Sequence, residues 1–175
     1  MENKISLDTE RMKGFGNYIV DNFEVNYLFG LNDLCEKYVK KNFKILELGS
    51  NEGVSARLFS YFAEKVVCVD LNKTKSMDEA VSKHNNIIFY HTSFKNFLEN
   101  DKNNEYDLIY IDGGHDFKNV NEDIEFFKSK VKKGGYISGH DCNSETPGVR
   151  LAIETHFPNE EIILFSDSSW LIKIT

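Results

Sequence analysis

Residues 45–53 read Ile-Leu-Glu-Leu-Gly-Ser-Asn-Glu-Gly, and residues 66–70 read Val-Val-Cys-Val-Asp. An apolar strand runs into a glycine turn, a helix follows, and a second apolar strand ends on an acid. That order is a βαβ unit of the kind that holds a nucleoside. Gly49 lets the chain turn sharply, and Gly53 lets the next helix begin close to a ligand, because glycine has no Cβ and tolerates positive φ. A dinucleotide fingerprint reads G-x-G-x-x-G, its second glycine admitting the pyrophosphate. Counted from Gly49, the second and third glycine positions hold Asn51 and Val54. What remains is E-x-G-x-x-x-G, with Asp70 about 20 residues beyond the turn, where an acid can accept hydrogen bonds from ribose hydroxyls.

This pattern resembles the first motif of class I S-adenosylmethionine (SAM)-dependent methyltransferases. The resemblance implies that Glu47, Gly49 and Gly53 surround the methionine part of SAM and that Asp70 binds the ribose. Ser50 and Asn51 in the turn, Leu71 after Asp70, and Asp112 are counted with them as cofactor-binding candidates. Ser93 is placed where such folds contact adenine. The open amides at a helix start also suit the carboxylate of the cofactor.

Outward from this unit the chain alternates. Strands are expected over 44–48, 65–70, 86–90, 106–111 and 136–139, with helices over 53–63, 74–84 and 94–100. A further helix carries the stripe Phe117, Val120, Ile124, Phe127 and Val131, with Asp116 as its cap and Gly134-Gly135 as its end. Pro147 suits the first position of the last helix, capped by Thr146 and stopped by Pro158. The tail 161–174 reads as two short strands around Ser166-Asp167-Ser168. Ahead of the unit, residues 1–15 read as a polar, mobile segment. Residues 17–41 read as one or two helices that Gly30 can break.

Alternating strands and helices predict an α/β, doubly wound, mostly parallel sheet, with an antiparallel hairpin at one edge. The methyltransferase resemblance implies seven strands in the order 3-2-1-4-5-7-6. The expected organisation is one domain over 1–175, with a helical extension (1–41) and a SAM-binding core (42–175).

In open sheets of this kind, ligands lie beyond the carboxyl ends of the strands. Asp112-Gly113-Gly114-His115 follows the fourth strand and Gly139-His140-Asp141 ends the fifth. Neighbouring strands would bring two carboxylates and two imidazoles to one crevice. Such donors suit a divalent cation, and a histidine there can take a proton at neutral pH.

With Glu-Leu-Gly-x-x-x-Gly-x-Ser, Ile-Asp-Gly-Gly-His, Gly-His-Asp and a Val-Arg helix, residues 43–157 look like the small-molecule O-methyltransferase branch. That branch includes macrolide-sugar methyltransferases and cephalosporin-hydroxylase-like proteins. The resemblance implies Asp112 and Asp141 as ligands of Mg²⁺ and His115 as the base. His140 departs from relatives with a second acid there; it could ligate, orient substrate or pack. The catalytic candidates are thus His115, Asp112 and Asp141, and the metal candidates Asp112, His140 and Asp141. Phe15 and Tyr18 could line an acceptor site, but core or surface packing suits them better. The other histidines, His84, His91 and His156, read as surface or packing residues.

Composition bounds the alternatives. The chain has 175 residues, 41% of them hydrophobic and 28% charged, which suits a soluble globular protein. A net charge of -7 disfavours nucleic acid, whose binding leans on Lys and Arg. Lys128, Lys130, Lys132 and Lys133 gather only at an expected helix end. Three cysteines without C-x-x-C imply no disulfide framework and suit the cytoplasm. No apolar run approaches a membrane span and no signal core opens the chain. The expected partner is a small-molecule hydroxyl acceptor. The oligomeric state stays open; subunit contacts, as in a homodimer, could complete the pocket. Two rival readings are an NAD(P)-dependent oxidoreductase, against which the missing glycines speak, and a SAM-binding scaffold without activity, which would not need the Asp112, His115 and Asp141 group.

Overall fold

In each central strand both alternating sets of side chains are apolar, so both faces of the sheet must be covered. Ile45, Val66, Cys68, Leu108 and Tyr110 pack on one side with Leu31, Leu34, Phe59, Met77 and Ala80. Leu46, Leu48, Val67, Val69, Ile109 and Ile111 pack on the other with Val120, Ile124, Phe127, Ala152 and Ile153. The computed structural model describes residues 22–102 and 104–175, with side chains from residue 29 onward. The polar segment 1–15 and the candidate acceptor-site residues Phe15 and Tyr18 lie outside the described residues.

The elements are α1 (Asn22–Tyr38), β1 (Lys44–Leu48), α2 (Val54–Phe62), β2 (Lys65–Asp70), α3 (Lys75–Lys83), β3 (Ile87–His91) and α4 (Phe94–Asn100). They continue with β4 (Tyr106–Ile111), α5 (Phe117–Phe127), β5 (Val131–Gly139), α6 (Pro147–His156), β6 (Ile163–Leu164) and β7 (Trp170–Lys173). The seven strands form one sheet in the order β3-β2-β1-β4-β5-β7-β6. β1 through β5 pair in parallel, and β7 runs antiparallel to both β5 and β6. The expected order and edge hairpin are therefore both present.

Register decides what meets at the carboxyl edge. Leu48 stands beside Val69 and Ile111, and Ile111 stands beside Gly139. The residues that follow, Gly49, Asp70, Asp112 and His140, leave the sheet at one level. Backbone bonds tie this edge together: Gly49 N–H donates to the Val69 carbonyl (2.9 Å), Asp112 N–H to Leu48 (2.8 Å), and His140 N–H to Ile111 (3.1 Å).

Several local expectations are corrected. Gly30 does not break a helix; it lies within α1. A Cβ there would stand 2.2 Å from Asp167 Oδ1, so the glycine lets α1 approach the β6–β7 turn. Gly134-Gly135 does not end α5, which stops at Phe127 and passes through a 3-10 turn at Lys128–Lys130. Val131 belongs to β5 rather than to the helical stripe, and β5 is longer than expected. The two glycines lie where the β4–β5 register shifts, Tyr106 pairing with Val131 and Leu108 with Tyr136. The lysines do not share a helix end, since Lys132 reaches the Asp107 carboxylate of β4. β3 begins and ends one residue later than expected.

Candidate active site

The glycine turn is held by its own backbone. Gly49 has φ +90°, and a Cβ on it would stand 2.2 Å from the Asp112 carbonyl oxygen. Asn51 (φ +41°) and Gly53 (φ +73°) also take left-handed conformations, and Gly53 caps α2. Asp70 closes the arrangement from the next strand. Its Oδ2 accepts from the Asn51 N–H at 2.7 Å and its Oδ1 from the Asn72 N–H at 2.7 Å. The carboxylate is thereby fixed against the turn that a nucleoside would straddle.

Beyond this turn opens a crevice of about 840 Å³. Gly49, Asn51, Asp70, Leu71 and Ser93 line it among the cofactor candidates, as do Asp112, His115, His140 and Asp141. Glu47, Ser50 and Gly53 do not line it. Glu47 lies beneath the turn on the α1–α2 side of the sheet, fully buried, where strand alternation would otherwise set an apolar residue. Ser55 Oγ donates to its Oε1, and the Cys68 thiol donates to its Oε2 at 3.2 Å. Burial pushes its pKa up to about 7, more than these two hydrogen bonds can offset, and the carboxylates of Asp112 and Asp70 add to the rise.

The β4 and β5 loops supply the second group. His115 Nε2 lies 3.0 Å from Asp141 Oδ2, and His140 Nδ1 lies 3.2 Å from Asp141 Oδ1. One carboxylate therefore bridges two imidazoles. Asp141 adopts φ +61°, a conformation that costs a non-glycine residue energy and so needs support from its surroundings. Thr146 provides part of that support: its hydroxyl donates to the Asp141 carbonyl. Thr146 thus occupies the cap position of α6 without capping it with its side chain, which corrects the expected role. Asn143 Oδ1 accepts from the Glu145 and Thr146 amides instead.

The charges around Asp141 reinforce one another. Its hydrogen bond from His140 lowers its pKa, outweighing partial burial, and the charges of His140 and His115 lower it further. Burial works against a charged His140, but the Asp141 hydrogen bond and the carboxylates of Asp112, Asp141 and Asp167 carry its pKa above the ordinary value. His115 is half exposed and reaches into the crevice.

Ligand atoms of Asp112, His115 and Asp141 lie within 4.8 Å of one another, a spacing and donor set compatible with a divalent cation. The sequence reading placed His140 in the metal set. The buried His140 ring lies outside this group, and the half-exposed His115 completes it. The sequence reading also passed over Asn72, Phe94, Asn119 and Asp123, all of which line the crevice. Asp123 carried a signal: an acid at the buried register of an otherwise apolar helix stripe.

The crevice, at the carboxyl end of a doubly wound sheet, fits SAM by size and by its donor set. Its volume suits a small-molecule site. Its lining includes the Asp70 carboxylate, fixed by two backbone amides, and the His115 ring, paired with Asp141. A family model described as a methyltransferase domain matches residues 46–142, more than half of the chain. The chain belongs to this methyltransferase-domain family. No curated protein sequence matches it.

Solved structures share its fold. CalS11, a TDP-rhamnose 3'-O-methyltransferase of calicheamicin biosynthesis, superposes with TM-score 0.72 at 13% identity, over 94% of this chain and 86% of that one. The N-methyltransferase NodS of Bradyrhizobium japonicum, bound to S-adenosylhomocysteine (SAH), gives 0.63 at 13% identity over 88% of each chain. A Streptococcus mutans protein described as a SAM-dependent methyltransferase gives 0.66 at 16% identity over 86% of this chain. This chain spans about half (49%) of the Streptococcus mutans protein. Among the described residues no helix is long and apolar enough to cross a membrane.

Proposed function

We propose that this chain is a SAM-dependent methyltransferase that acts on a hydroxyl group of a small molecule. The observation that carries the reading is the 3.0 Å contact between His115 and Asp141 in the wall of the crevice. When bound, SAM supplies an electrophilic methyl group on sulfur. Asp70 takes the ribose hydroxyls, and the turn at Gly49 and Asn51 takes the methionine end. Ser93 borders the base. Glu47, Ser50 and Gly53 act from beneath, by setting the shape of the turn.

The acceptor hydroxyl lies beside His115. With Nε2–H donating to Asp141, the lone pair of His115 would sit on Nδ1, where it could take the proton of an acceptor hydroxyl. Asp141 holds that tautomer and stabilises the imidazolium that forms. His140 steadies the other oxygen of Asp141. Holding the two reactants in line supplies much of the rate gain.

A divalent cation held by Asp112 and Asp141 would favour ionisation of a hydroxyl beside it and leave the His115 ring as the base. CalS11 is a sugar O-methyltransferase by its description and NovP an O-methyltransferase (14% identity, TM-score 0.63). These neighbours support hydroxyl acceptors without naming one for this chain. The net charge of -7 supports a small acceptor over a nucleic acid. Three buried cysteines, with no C-x-x-C pair among them, suit a cytoplasmic setting. We read 1–175 as one domain, and a homodimer as the assembly to look for.

The test is methyl transfer from SAM to a panel of sugar, glycoside and phenolic hydroxyls, with and without chelator, beside calorimetric titration with SAM and NAD. The reading expects SAM binding without NAD binding, and turnover lost at least a hundredfold in His115→Ala and Asp141→Ala, the scale of general-base contributions. Undiminished turnover in both variants would refute the assigned chemistry. Loss of turnover with chelator would support the cation.

A further inference from the structure

One carboxylate in the crevice has no part in this chemistry. Asp123 lies on α5 in the buried register of Val120, Ile124 and Phe127, is itself only 9% exposed, and lines the crevice. Removing a carboxylate from water within an apolar stripe is costly unless a polar partner meets it. Burial, and then the neighbouring Glu122 carboxylate, push its pKa up to about 7, and no hydrogen bond from the described residues offsets the rise. A group kept at that cost in the wall of a binding crevice suits a partner that arrives with the ligand.

Its position narrows the partner. A Cβ on Gly113 would stand 2.9 Å from Phe94 Cε2 and 3.6 Å from Asp123 Oδ2. The Phe94 ring, the Gly113 backbone and the Asp123 carboxyl therefore meet at one spot. Asp123 lies six residues into α5, about 9 Å along its axis from Phe117. His115 and Asp141 instead come from the loops after β4 and β5. Asp70, Leu71, Ser93 and Phe94 border the crevice from the loops after β2 and β3. A nucleoside anchored through its ribose at Asp70 would set its base past Leu71 towards Phe94. There the apolar side chains can cover the ring faces while Asp123 meets an edge.

We propose that Asp123 selects the adenine of the cofactor by accepting a hydrogen bond from its exocyclic amino group. This rests on the placement of the ribose at Asp70 and not on the identity of the methyl acceptor. The inference adds a specificity-determining residue on α5, where the reading above had only Ser93 near the base.

The test is calorimetric binding of SAH and of its 6-deamino analogue, in which purine replaces adenine, so that no methyl transfer enters. The wild-type chain should favour SAH about tenfold, the scale of one buried hydrogen bond. Asp123→Leu, which relieves the buried charge and so should fold, is expected to lose that preference while binding the analogue as before. Asp123→Asn retains an acceptor oxygen and should keep most of the preference. A Leu variant that discriminates like the wild type, or that weakens both ligands equally, would overturn the proposal. Failure of the wild-type chain to bind SAH would overturn the cofactor placement together with it. Failure of every hydroxyl acceptor with intact SAH discrimination would touch only the acceptor reading and leave Asp123 supported.

Discussion

Replacing Glu47 with Gln should make the protein more stable at neutral and alkaline pH, although two hydrogen bonds end on this side chain. Glu47 is fully buried, and its pKa is raised from 4.5 to about 7. In the unfolded chain the carboxyl ionises near its ordinary value, whereas in the folded chain it keeps its proton until about pH 7. Between these values the folded state binds more protons, so stability falls as pH rises. The stabilising contribution is complete below about pH 4.5 and lost above about pH 7. At roughly 1.4 kcal/mol per pKa unit the swing is on the order of 3 kcal/mol. A glutamine at this position would not titrate. Its amide can still accept from Ser55 Oγ but turns an N–H₂ towards the Cys68 thiol, a pH-independent cost of about 1 kcal/mol. Urea unfolding of both proteins from pH 4.5 to 8.5 measures the difference. The Glu47→Gln variant should gain on the wild type by about 3 kcal/mol across that range, because the solvation cost of the buried charge exceeds what Ser55 and Cys68 return. Parallel profiles, within about 0.5 kcal/mol, would refute the claim that this carboxylate is desolvated.

Three further outcomes are expected. Gly49→Ala should abolish SAH binding in calorimetry and cost several kcal/mol in urea unfolding, since the new Cβ meets the Asp112 carbonyl at 2.2 Å in a left-handed backbone. Asp70→Asn should weaken SAH at least tenfold and destabilise the chain by about 1–3 kcal/mol, because two backbone amides lose a charged acceptor; unchanged affinity would remove Asp70 from the ribose site. Gly30→Ala should cost about 1–3 kcal/mol despite the better helix propensity of alanine, the overlap with Asp167 forcing α1 away from the β6–β7 turn. A gain in melting temperature for Gly30→Ala would show that the helix tolerates the displacement.

Most of the sheet was legible in the chain because its signals are local. The apolar runs at 44–48, 65–70 and 106–111 coincide with β1, β2 and β4, and Asp116 caps α5 through the Asn119 amide as its position suggests. Glycines were read less well, because the residue serves several purposes. Gly134-Gly135 followed a helical stripe and read as a helix end, yet it lies in an irregular part of β5. Gly30 read as a breaker because its contact, Asp167, is far away in sequence. Thr146 stands at the cap position, but its hydroxyl donates to the Asp141 carbonyl and accepts from no amide of α6.

The candidate site divides along the same line. By itself the sequence determined which residues stand at the ends of strands: Gly49, Asp70, Asp112, and the pair His140 and Asp141. Asn51 and Val54, at two of the three glycine positions, also spoke against a dinucleotide turn. These facts follow from strand periodicity and turn chemistry, which act over a few residues. Only the tertiary structure decided that His115 faces Asp141 across two loops, that Glu47 lies beneath the turn and outside the crevice, and that Asp123 enters the crevice from α5. Those outcomes depend on the register between β1, β4 and β5 and on how α5 packs against the sheet. Burial and juxtaposition are set by what packs against a residue, and that is fixed only when distant parts of the chain have met.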